Sequence, residues 1–179
     1  METFNHIINP DIALSAWIAL AVSGLLLILS GFMSSSEVAF FSLSPSDIDA
    51  IKEEEDPADP ALLELLKDTE RLLATILIGN NLVNVAIVIL TGYAFSLIFD
   101  FSSAPALGFI VQTVILTLLL LLFGEIIPKV YAQARPLAFS RFSSGKMRIV
   151  SRLLYPFSSF LMRSTSLVTR RMQPRKYDL

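Results

Sequence analysis

Three long stretches of this chain carry no charged residue: between Asp11 and Glu37, from Leu72 to Phe99, and from Ala106 to Phe123. A hydrocarbon layer about 30 Å thick is crossed by about 20 helical residues. In lipid, every backbone polar group must be satisfied within the protein, which an apolar run of this kind achieves as a helix. Composition agrees, with 17% charged residues against the roughly 25% of soluble domains. The expected class is therefore an all-α membrane protein. Its three spans lie at about 12–43, 72–99 and 106–130.

The joints between the runs set the topology. Asp100 to Pro105, DFSSAP, is too short to do anything but reverse the chain, so spans two and three form an antiparallel hairpin. Between spans one and two, a segment at 45–70 opens with Pro45 and carries an acidic run ending in DPADP. A short amphipathic stretch, ALLELLKDTERLL, then leads into the second span. Residues 132–179 differ in kind, with Arg135, Arg141, Lys146, Arg148, Arg152, Arg163, Arg170 and Arg171 set among leucines and aromatics. This pattern predicts juxtamembrane amphipathic helices lying as a basic belt on an anionic inner leaflet. The alternative is a short, tilted fourth span from Leu153 to Val168, interrupted by Arg163.

Basic residues also set the orientation. None precedes the first span and none lies in the hairpin turn, whereas Lys52, Lys67 and Arg71 separate spans one and two and the others follow Gly124. The positive-inside rule then puts the N-terminus outside and the C-terminus in the cytoplasm of a multi-pass inner-membrane protein. No basic n-region precedes the first run, so it is expected to be retained rather than cleaved.

Several chemistries are excluded. The chain has no cysteine and a single histidine, His6, which rules out disulfides, thiolate zinc sites and a histidine-rich metal site within one chain. Neither a Ser/His pair nor a paired-Asp motif of a membrane protease is present, and no enzyme and no nucleic-acid partner is expected.

Polar residues inside the spans carry the functional signal. The third run ends in LLFGEIIPK, which places Glu125 beside Gly124 and three residues before Pro128. A carboxylate in hydrocarbon costs about 2.5 kcal/mol or more, so such a group marks a cavity or pathway. Pro128 lacks an N–H, and in an α-helix it would release the Gly124 carbonyl as an oxygen ligand. A simple kink at the membrane exit is the other reading. In span one, Ser30, Ser34 and Glu37 share a face, with Ser35 and Ser36 beside them; in span two, Asn80 and Asn84 share a face, with Asn81 adjacent. Serines and asparagines also serve as helix-packing groups. Together, however, these residues offer only hard oxygen donors, which suit Mg²⁺, Ca²⁺ or Na⁺.

At SGFMSSSEVAFFSLS (Ser30 to Ser44 with its leading serine), IGNNLVNVA (Ile78 to Ala86) and FGEIIPKVYA (Phe123 to Ala132), the chain resembles the membrane domain of the CorC/CNNM family of magnesium transport proteins. The likeness covers about Ala13 to Met172. It implies a homodimer of three-span subunits with a belt of juxtamembrane helices and a site for a largely dehydrated Mg²⁺. The ligands it implies are Ser34, Asn80 or Asn84, Gly124 through its carbonyl, and Glu125, with Ser30 and Ser36 as further candidates. It also implies Mg²⁺ export by alternating access, with Na⁺ as the candidate driving ion; the alternative is a non-transporting scaffold or Mg²⁺ sensor that assembles with cytoplasmic partners. Family members usually carry nucleotide-binding CBS modules after the membrane portion. None is found here, and nucleotide is expected to act only through such modules.

Overall fold

A computed structural model of the chain describes residues 14–53 and 56–162, and within them the chain is helical. Helix α1 (Leu14–Phe41) is the first span. Two short helices, α2 (Pro45–Glu53) and α3 (Asp59–Leu66), make the connection to α4 (Thr69–Ile98), the second span. The third span is composite: α5 (Pro105–Leu119), a π-helical segment (Leu120–Ile126) and α6 (Ile127–Ala134). Helix α7 (Pro136–Leu153) follows, and the chain stays helical through 155–162.

The three spans of 28, 30 and 30 residues are about 42–45 Å long at 1.5 Å per residue. Each exceeds the hydrocarbon layer. Helix starts follow local chemistry. Proline opens α2, α5 and α7, where its missing N–H is not needed. Ser44 and Asp47 cap α2 reciprocally, the Ser44 N–H donating to Asp47 Oδ2 at 2.8 Å and the Asp47 N–H to Ser44 Oγ at 3.2 Å. The Ser44 bonds hold the Asp47 carboxyl below its ordinary value.

The largest core is not between the spans but at one end of them. Met33, Phe40, Ile51, Leu62, Leu65, Leu72, Ile76 and Met147 form it where α1, α2, α3, α4 and α7 meet. Serines make close packing possible there: Ser140, Ser143 and Ser144 are buried along α7. The Arg141 guanidinium reaches Asp59 from this helix, with Nε–Oδ1 2.9 Å and Nη2–Oδ2 3.2 Å. Asp59 is only 4% exposed, so this bidentate pair fixes the short acidic connector to the belt helix.

Within the spans, α1 lies against α4, the π-helical segment and α6, using small residues for close approach. By contrast only 6% of the most apolar window of the third span is buried. That face is left to lipid or to another chain. The hairpin tip is closed by stacked Phe95 and Phe101, whose ring centroids lie 5.6 Å apart. A Cβ on Gly108 would lie 2.7 Å from Phe101 Cβ, closer than real contacts allow. Gly108→Ala is expected to displace Phe101 and lower stability by about 1–3 kcal/mol, read as a lower midpoint of thermal unfolding in detergent.

Three helices long and apolar enough to cross a membrane, Leu14–Phe41, Thr69–Ile98 and Pro105–Ala134, meet the expectation of three spans. The proposed fourth span extends into residues 163–168, outside the described residues.

Candidate metal centre

The site is built where α1, α4 and the broken third span touch. Ser30 is fully buried, and its Oγ lies 3.0 Å from Asn80 Oδ1 and 2.7 Å from Asn84 Oδ1. A hydroxyl carries one hydrogen and can donate to only one of these oxygens at a time. Three oxygens from two helices thus converge around a single proton. Gly124 completes this wall, since a Cβ there would sit 3.1 Å from Ser30 Oγ. An added Cβ would press on the Ser30 hydroxyl and push it aside by a few tenths of an ångström.

One turn along, Ser34 is fully buried and its Oγ has no hydrogen-bond partner. A buried hydroxyl without a partner costs about 1–3 kcal/mol, and a serine in a helix has an easy remedy in the carbonyl four residues back. Ser36 takes that remedy, donating to the Phe32 carbonyl at 2.8 Å. Ser34 does not. Ser35 is used differently again, donating across to the Pro128 carbonyl at 2.9 Å and clamping α1 to α6. Four neighbouring serines therefore separate into an amide-bonded one, an orphan, a clamp and one satisfied by its own helix.

The backbone break differs in detail from the sequence expectation. In an α-helix Pro128 would release the Gly124 carbonyl. Here the Ile127 N–H bonds the Leu122 carbonyl, five residues back. Pro128 is the next donor and has no N–H, so it serves neither the Gly124 carbonyl, its partner in an α register, nor, in this register, the Phe123 carbonyl. That oxygen lies 3.1 Å from where a Gly31 Cβ would be, with Pro128 Cγ at 3.0 Å. Gly31 and Gly124 thus both allow the close approach of α1 to the π-helical segment.

The acids also separate. Glu37 Oε2 pairs with Lys129 Nζ at 3.2 Å, which neutralises it. Glu125 is partly buried and makes no hydrogen bond or ion pair to any described residue. It is the free carboxylate of this region. Among the described residues no three His, Asp or Glu side chains cluster, so a cation here would be held by one carboxylate and neutral oxygens.

Sequence reasoning grouped Asn81 with its neighbours, yet it is exposed and its Nδ2 donates to the Leu77 carbonyl of its own helix at 2.9 Å. It missed Thr75, which is fully buried with an unpartnered Oγ1. A threonine one turn before Gly79 gives no signal in sequence, because threonine commonly bonds its own helix.

A model of the cyclin M transmembrane N-terminal domain matches residues 21–178. The chain belongs to the cyclin M membrane-domain family. Curated relatives include a UPF0053 protein of Haemophilus influenzae, 34% identical over 73% of this chain and 30% of that protein. A chloroplastic DUF21 domain-containing protein of Arabidopsis thaliana is 32% identical over 75% of this chain and 20% of that protein. The UPF0053 inner membrane protein YfjD of Escherichia coli is 26% identical over 80% of this chain and 32% of that protein. The chain thus spans a third or less of the length of these relatives. The cyclin M match covers α1, the connector, both later spans and α7, so the three-span core and the helix that follows it are all part of the family's membrane domain.

Proposed function

We propose that this membrane domain binds Mg²⁺ between its spans and carries it across the bilayer, exporting it by alternating access with Na⁺ influx as the driving force. The family is linked to membrane transport. The carrying observation is the convergence of Ser30, Asn80 and Asn84 against Gly124, one turn from the orphan Ser34 and beside the unpaired Glu125. Mg²⁺ takes six oxygens at 2.0–2.1 Å, which puts neighbouring ligands about 2.9 Å apart. The Ser30 separations of 3.0 and 2.7 Å are close to that edge, so the hydroxyl can turn its proton away and offer a lone pair to an ion without moving the helices. The proposed ligands are Ser30, Ser34, one of Asn80 and Asn84, the Gly124 carbonyl and Glu125. Ser36, already bonded to its own helix, contributes to packing.

One carboxylate offsets half of the divalent charge and leaves a net positive site, which favours release as well as binding. The π-helical segment supplies the movable part. Such segments are frequent at functional sites. A change of register there rotates Glu125 relative to α1. The domain works as a homodimer through the uncovered face of the third span, with the N-terminus outside and the belt on the anionic cytoplasmic leaflet.

Ser34→Ala separates this reading from helix packing. Removing an unsatisfied buried hydroxyl leaves thermal stability unchanged or raises it, whereas loss of a ligand weakens Mg²⁺ binding about tenfold. Titration calorimetry and thermal unfolding on the same purified protein check both. Unchanged Mg²⁺ affinity would remove Ser34 from the site.

A further inference from the structure

At the belt end of the spans, a cleft of about 300 Å³ lies between α3, the start of α4 and the end of α7. Three guanidinium groups line it, those of Arg71, Arg148 and Arg152, together with Ser151 and Tyr155. Two acids share the wall, Glu64 and Asp68. We infer that this cleft is a phosphate-oxyanion site that takes the headgroup of an anionic phospholipid. It is separate from the cation site between the spans and does not depend on it.

Charge gives the sign of the ligand. Three arginines against two carboxylates leave a surplus of one positive charge, which a phosphodiester monoanion offsets. The internal pairings are loose enough to yield. Glu64 lies 3.6 Å from Arg148 Nη1 and 3.9 Å from Arg152 Nη2, both beyond hydrogen-bond length, and all three side chains are well exposed. Arg71 is held more firmly. Its guanidinium stacks over the Tyr155 ring at 4.5 Å, and Asp68 caps α4 through the Arg71 N–H at 3.0 Å. Its Nε is buried, lies 3.1 Å from Asp68 Oδ2, and is not aligned to donate to it. A preorganised guanidinium therefore faces two more mobile ones, the geometry that suits a tetrahedral oxyanion.

Depth identifies the source. Arg71 directly precedes the uncharged run of the second span, so the cleft lies level with the headgroups. Leu153, Phe157 and Phe160, just beyond it on the chain, are exposed and apolar. A phospholipid bound here would rest its acyl chains on that surface, whereas a soluble phosphate would make no use of it. The headgroup would then tie α3, α4 and α7 together at the rim of the belt-end core.

Native mass spectrometry of the detergent-purified full chain tests this, with phosphatidylglycerol and phosphatidylcholine offered in equal amounts. Wild type is expected to retain phosphatidylglycerol in preference. Arg148→Gln/Arg152→Gln is expected to lose it about tenfold, while Lys146→Gln, an exposed cation stacked on Phe142 outside the cleft, keeps it. Arg71 is left intact because its stacking and capping contacts support the fold. Equal retention by the double variant, or equal loss in Lys146→Gln, would overturn the site. Displacement of the bound lipid by inorganic phosphate would overturn the lipid as its source and assign the cleft to a soluble phosphate.

Discussion

Glu125→Gln is expected to reduce Mg²⁺ flux into proteoliposomes about 100-fold while the protein still inserts and runs as the same species on a sizing column. Glu125 is the carboxylate of the site that no described residue neutralises. A unit charge about 4 Å from its partner is worth about 4 kcal/mol at an effective dielectric of 20, and more against a divalent ion. Glu125 is partly exposed, and solvent screening brings this down to about 3 kcal/mol, which corresponds to about 100-fold. Glutamine keeps the shape and one oxygen. It also removes the cost of a carboxylate near lipid, so stability does not fall. A variant that transports at the wild-type rate would take Glu125 out of the pathway. Glu37→Gln is the matched control, because Lys129 already neutralises that acid, and its effect on flux is expected to be small.

Arg141→Met is expected to destabilise the belt end by about 3 kcal/mol and to leave the cation site intact. Methionine fills much of the arginine's volume but abandons the Asp59 carboxylate, which is 4% exposed. An uncompensated buried charge is what makes breaking such a pair so costly. The double variant Arg141→Met/Asp59→Leu removes both charges and is expected to recover most of the loss. Hydrogen exchange localises the effect: amides of α3 and α7 exchange faster in the single variant, while those of α1 around Ser30 do not. Equal exchange throughout the chain in wild type and variant would show that the pair contributes little.

These two predictions rest on features of unequal legibility. The spans could be read because lipid forbids unpaired backbone and charge, so a long uncharged run has few alternatives. The shared faces of Ser30 and Ser34 and of Asn80 and Asn84 were readable from a 3.6-residue period, whereas that the two faces meet was implied only by the family resemblance. What three adjacent serines each do was not readable. Ser34, Ser35 and Ser36 differ only in which carbonyl lies within reach, and that depends on how α6 and α1 pack. The π-helical register was hidden for a related reason. Proline signals a lost bond, but whether the orphan carbonyl belongs to Gly124 or to Phe123 depends on the register upstream, which nothing in LLFGEIIPK encodes by itself.

The connector shows the same limit at long range. DPADP reads as the end of an acidic run between helices. Asp59 instead lies buried against an arginine 82 residues away. No local pattern distinguishes it from Asp56, which is more exposed and 4.0 Å from the same guanidinium. Pairing across that separation follows from α3 packing on the serine face of α7.

The most direct test of the central claim is titration calorimetry of Mg²⁺ into the detergent-purified chain, with and without Na⁺. Saturable binding at one ion per chain, weakened by Na⁺ and lost in Glu125→Gln, is the result expected of a cation site between the spans. Absence of saturable heat, or binding that survives unchanged in Glu125→Gln, would contradict it and leave the serines and asparagines as the packing groups of a membrane scaffold.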